Sequence, residues 1–161
     1  MKTRTVTIPK KDIFFDVDAA THVFSRATEA AGMRRADALE SDTGDTMARH
    51  MLSRYADRRV GELEGDLSRF LTTPGMPATG AVVAIGTAAS YEISLTVEDA
   101  FQDELLSPLA TAMESYIAHG VTADWYAAAG DAQSNVFLQM MPADLLRIKE
   151  HLVKRKFPVR A

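Results

Sequence analysis

At 161 residues the chain has the size of one ordinary domain, and 47% hydrophobic with 25% charged residues is the composition of a folding chain rather than a disordered one. It has no cysteine, which excludes disulfide scaffolds, thiolate metal sites, iron–sulfur clusters and cysteine nucleophiles together. The net charge of −4 is unevenly spread: residues 1–11 carry four cations and no anion, residues 147–161 carry +5, and residues 12–146 are left with −13.

Thr3-Arg4-Thr5-Val6-Thr7-Ile8 alternates and is rich in β-branched residues, which predicts a short strand that Pro9 stops. No apolar run follows Lys2 and Arg4, so a signal peptide is not expected. Nor does any window approach the ~18 apolar residues of a membrane helix, and a soluble, cytoplasmically made protein is expected. Ile13-Phe14-Phe15-Asp16-Val17 reads as a second extended piece, with Phe14 or Phe15 reaching the core. A helix is expected from Asp18 to about Arg35, capped by Asp16 or Asp18, with Ala20, Val23, Phe24, Ala27 and Ala31 on one face.

The polar turn from Glu40 to Asp45 launches the clearest helix, marked by Ala48, Leu52, Tyr55, Val60, Leu63, Leu67 and Phe70. Gly61 and Gly65 stand four apart on it, and each costs about 1 kcal/mol against alanine. Either another backbone approaches there or the helix is simply weak. Thr72 to Pro77 ends the run. Ala81-Val82-Val83-Ala84-Ile85 and Tyr91 to Val97, joined by Gly86 to Ser90, carry a β-hairpin signal. Tyr91, Ile93, Leu95 and Val97 fall on its packed face, and the hairpin is expected to pair with the N-terminal strand or lie on the helices.

Helix resumes from Glu98 to Ala129, with Phe101, Leu105, Leu109, Ala112, Tyr116, Ile117 and Val121 inward. Pro108 either kinks it or sits in the first turn of a new helix, and Gly120 is expected to interrupt it. A last helix runs to about Lys156 with Phe137, Met141, Leu145, Ile148 and Leu152 aligned, and Pro142 kinks or restarts it. These elements predict a mainly α, α+β fold: a bundle of about four helices, one β-hairpin and a short N-terminal strand. One domain spans 1–161, with an N-terminal arm over about 1–12 and a basic tail over about 154–161.

The sequence offers no support for catalysis. His22, His50, His119 and His151 never stand three or four apart, so no helical metal pair exists and each is expected on a helix surface. Gly80 to Gly86 lacks both the Gly-Lys-Ser/Thr finish of a phosphate loop and the third glycine of a dinucleotide fingerprint. Asp42-Thr43-Gly44-Asp45 lacks the later ligands of a calcium loop. No catalytic, cofactor or metal residue is expected, and the chain is read as not an enzyme. Two features point instead to protein contacts. Trp125 and Tyr126 are either core aromatics or interface anchors. The tail Lys154, Arg155, Lys156, Phe157, Pro158, Val159 and Arg160 is either a frayed end or a docking peptide, steered by charge and held by apolar anchors. Basic ends around an acidic body suit pairing with acidic surfaces, other copies of the chain included.

The order of these elements resembles small structural proteins of prophages and, more loosely, tailed-phage head–tail connector (neck adaptor) proteins. The resemblance covers about residues 12–160 and lies in the apolar patterns, Asp124-Trp125-Tyr126, and the ending Lys154-Arg155-Lys156-Phe157-Pro158. It implies a non-enzymatic virion protein at the head–tail junction, forming a ring, commonly of twelve copies, against the portal. Neighbouring neck and tail proteins would be its partners, and DNA only passing cargo. The hairpin departs from the simplest all-helical adaptors, so a tail-terminator or tail-completion protein is the nearest alternative. A regulatory helical module using Arg34, Arg35 and the C-terminal cations on nucleic acid is a second class, opposed by the acidic middle. An enzyme, or an inhibitor of one, is the third.

Overall fold

The computed structural model describes residues 1–30, 46–71 and 89–154. Strand β1 (Lys2–Pro9) is followed by α1 (Lys10–Ala30), α2 (Thr46–Asp66), β2 (Ser90–Val97), α3 (Leu106–Ala128) and α4 (Ser134–Val153). Short 3₁₀ turns lie at Ser68–Phe70 and Asp103–Leu105. The fold is α+β and mainly α, as the periodicities require.

β1 and β2 pair antiparallel, with Lys2 opposite Val97 and Pro9 opposite Ser90. The non-local pairing follows from two matching apolar faces: Val6 and Ile8 on β1, and Tyr91, Ile93, Leu95 and Val97 on β2, are all buried. Leu71 adds a bridge to Leu95 just beyond α2. The other expected hairpin arm, Ala81 to Ile85, lies outside the described residues.

The segment from Ile13 to Val17 is helical, not extended. Pro9 ends β1, the Lys10 amide donates to the Ala89 carbonyl at 3.0 Å, and α1 starts at once. Ile13, Phe14, Val17 and Thr21 are then buried at three- and four-residue spacings, a helical period that the bulky Ile-Phe-Phe run disguises. Phe14 is the ring that reaches the core, whereas Phe15 and Val23 face solvent. The helix expected to begin near Asp18 therefore begins at Lys10 and turns a different face inward.

α3 is the hub, with the other helices on three of its sides. Tyr116, Gly120 and Asp124 meet α2, through Asp66 and Arg59. His119 and Tyr126 meet α4 through Asp144 and Phe137. Glu114 lies against α1 beside Asp12 and Asp16. Pro108 sits in the first turn of α3, where its missing N–H costs nothing, and Gly120 and Pro142 lie inside unbroken helices. One apolar cluster joins the sheet to all four helices of the described residues.

Of the two readings of Gly61 and Gly65, the structure supports the weak helix. A Cβ at exposed Gly61 or Gly65 would meet nothing within 4 Å, so these positions weaken α2 without admitting a neighbour. The close approach is at Gly120, where a Cβ would stand 2.7 Å from Cδ and 2.9 Å from Cγ of Arg59. Gly120→Ala should therefore destabilise the protein by about 1–3 kcal/mol despite alanine's better helix propensity. Gly61→Ala and Gly65→Ala should each stabilise it by up to about 1 kcal/mol. Urea midpoints of the three variants check both signs.

Candidate interaction surface

The polar groups inside the protein form pins between elements. Arg59 crosses Gly120 and donates from Nε to Asp124 Oδ2 at 3.0 Å and from Nη2 to Oδ1 at 2.5 Å. Arg59 and Asp124 are both buried, and Arg58 reaches the same carboxylate from a more exposed position. Burial works against the Arg59 charge, but its hydrogen bonds to Asp124 and Glu62, with their negative charges, outweigh it and hold the guanidinium more basic than usual. A second pin sets the His119 ring nitrogen Nδ1 2.6 Å from Oδ2 of buried Asp144, whose other oxygen lies 3.9 Å from Arg147. His119 is thus a helix–helix fastener, a role that spacing among histidines could not disclose. At the start of α1, Lys10 stands 4.7 Å from the ring centre of Tyr91, whose hydroxyl donates to Asp57 at 2.6 Å. Burial, with Asp57 beside it, pushes the Tyr91 hydroxyl far above its ordinary value. At the outer end of β1, Lys2 and Arg4 bind Asp103 and hold that carboxyl well below the ordinary range.

Of the residues expected at an interface, Tyr126 lies in the interior, edge-on to Phe24 at 5.6 Å and stacked on Phe137 at 5.7 Å. Burial pushes its hydroxyl up to about 12. Trp125 is half-buried and packs against the core. Tyr126 is thus a core residue, and Trp125 lies at the edge of the core. Lys154 is exposed just beyond the last turn of α4. Arg155, Lys156, Phe157, Pro158, Val159 and Arg160 lie outside the described residues. Lys154 borders a shallow cleft of about 140 Å³ whose floor includes Phe70, Phe101 and Leu152 and whose rim includes Arg69.

The structure adds an apolar surface that the sequence reading left out. α4 turns Met141, Asp144, Ile148 and Leu152 inward. On its outer side Leu138 is 41%, Leu146 59% and Val153 60% exposed, with Pro142 in line between them. Spacings of four and seven residues put these side chains in one stripe. On α1, Phe15 at 72% and Val23 at 69% exposure flank Ala19, making a second, shorter stripe. A legible signal was present: α4 holds more large apolar residues than one inward stripe can use. Among the described residues no three His, Asp or Glu side chains are grouped to hold a metal ion, and no helix is long and apolar enough to cross a membrane. Compared with protein-family models, curated proteins and solved structures, the chain matches none.

Anions lie beside the α1 stripe. Glu114 on α3 is raised above the ordinary 4.5 by burial, by the charges of Asp16 and Asp12, and by a hydrogen bond with Asp16. A carboxyl raised in the folded state binds its proton more readily there than in the unfolded chain. Stability therefore falls as pH rises through the window from the ordinary value up to the folded one. Glu114→Gln should remove this fall: its denaturation midpoint should match or exceed that of the parent at pH 7, and the difference should shrink as pH drops below 4.5. Urea titrations at pH 4 and pH 7 measure it.

Proposed function

We propose that this chain is a non-enzymatic virion component of the head–tail connector type, a subunit that assembles with copies of itself and with a portal. The observation that carries the reading is the outer stripe of α4. Leu138, Leu146 and Val153 stand in solvent and lead directly to Lys154, where the basic segment begins in the sequence. Apolar side chains on one helix face mark a contact surface, and a following run of cations and apolar residues suits an acidic partner. The polar pins of the interior support the same reading, because they lock the helices into a rigid body that could repeat without deforming around a ring. A tail-terminator role rests on the same chemistry and differs in the partner engaged.

The mass distribution of the purified protein, alone and mixed with the portal and tail proteins encoded beside it, tests the proposal. Rings should form, or the portal should capture the chain, with capture lost on deleting Phe157 to Ala161. Preference for the tail proteins over the portal would move the assignment to the terminator. A monomer that persists at high concentration and binds neither would remove it.

A further inference from the structure

The two uncovered stripes are unlike in charge, and this gives assembly a direction. On α1, Phe15, Ala19 and Val23 rise through two helical turns with Asp12, Asp16 and Asp18 on the same stretch against Lys11, and in the sequence Arg26 follows one turn beyond Val23. Glu114 stands behind Asp12 and Asp16 on α3. On α4, Leu146 and Val153 have Arg147, Lys149 and then Lys154 alongside, against Glu150. One face is apolar with an anionic excess, and the other is apolar with a cationic excess.

Their lengths also agree. Phe15 to Val23 covers about 12 Å and Leu146 to Val153 about 10–11 Å at 1.5 Å per residue. The two faces cannot meet within one molecule, because α1 and α4 occupy different sides of α3. A face that contacts its own kind would bring like charges together. Joining unlike faces pairs opposite charges and leaves one free face of each type at the two ends of the growing oligomer, so that it closes into a ring or extends as an open filament.

We infer that the chain associates head to tail, the Phe15–Val23 face of α1 on one copy seating against the Leu146–Val153 face of α4 on the next. The occupant of each stripe is thus a second copy of this chain. The inference rests on the assembly reading above and specifies the surfaces that would make it.

Two variants test it together. Phe15→Lys sets a cation against the cationic α4 face, and Leu146→Glu sets an anion against the anionic α1 face. Both positions are exposed, so circular dichroism and the melting temperature should match those of the parent. By sedimentation velocity the parent should form oligomers that grow with concentration. Each variant alone should be monomeric, its dissociation constant raised at least about tenfold. Mixed in equal amounts, the two should associate again, at least to a 1:1 dimer, since each retains the face that the other has lost.

A variant that still dimerises alone, or a mixture that stays monomeric while the parent assembles, would overturn the pairing and leave assembly through other surfaces standing. A monomeric parent would also overturn it. Capture of that monomer by the portal would then preserve the connector reading, and failure of capture would remove both.

Discussion

The packing of α2 on α3 depends on one buried ion pair, Arg59 with Asp124, laid across Gly120. Removing two charges from water costs several kcal/mol per ion, and only a close, multiply hydrogen-bonded geometry offsets it. Here the guanidinium meets the carboxylate through two bonds while Glu62 accepts a third from Nη1 at 2.7 Å. Such a pair adds little net stability over an apolar replacement, but it defines position sharply. Sliding α2 by one turn along α3 would bury Arg59 against a side chain instead of a bare glycine and leave Asp124 without its second bond. The apolar residues around it, Leu63, Ile117 and Val121 among them, tolerate small shifts far better.

The same logic recurs at the other helix contacts. His119 with Asp144 fixes α4 against α3, and Lys10, Tyr91 and Asp57 fix the β1–α1 junction against both α2 and β2. Each joins separate elements, and each is half-buried or more. The fold is thus an apolar cluster whose register is set by a few polar contacts. That arrangement gives rigidity, which matters more to a repeating assembly unit than to a chain acting alone.

Much of this was legible in the residues. Alternation in Tyr91 to Val97 located β2 and its inward face, and periodicity located α2 and α4 to within a few residues. What failed did so for identifiable reasons. Ile13-Phe14-Phe15 has the composition of a strand, but burial of Ile13, Phe14, Val17 and Thr21 on one side is a helical pattern that becomes visible only when the core is known. Gly61 and Gly65 left two readings open because spacing is all that a sequence displays. Among the described glycines, Gly120 is the one that a side chain of another helix crosses. The polar pins were invisible for a similar reason. Arg59 and Asp124 are 65 residues apart, and nothing in a list of charges distinguishes a buried partner from a solvated one.

The outer apolar stripe was hidden by a different effect. A helix that buries Met141, Ile148 and Leu152 satisfies the usual amphipathic pattern, and the remaining Leu138, Leu146 and Val153 pass as scatter unless they are placed on one face. Because α4 makes its contacts with α3 through the inward stripe and the His119–Asp144 pin, the outer leucines contribute little to folding. Their alignment on one face is therefore not explained by the packing of α4 on α3. Phe15 and Val23 on α1 stand in the same position. Two helices carrying surplus apolar side chains, set on different sides of a rigid hub and flanked by opposite charges, divide the labour of the residues: one set builds the fold, and the other is what the proposed assembly would use.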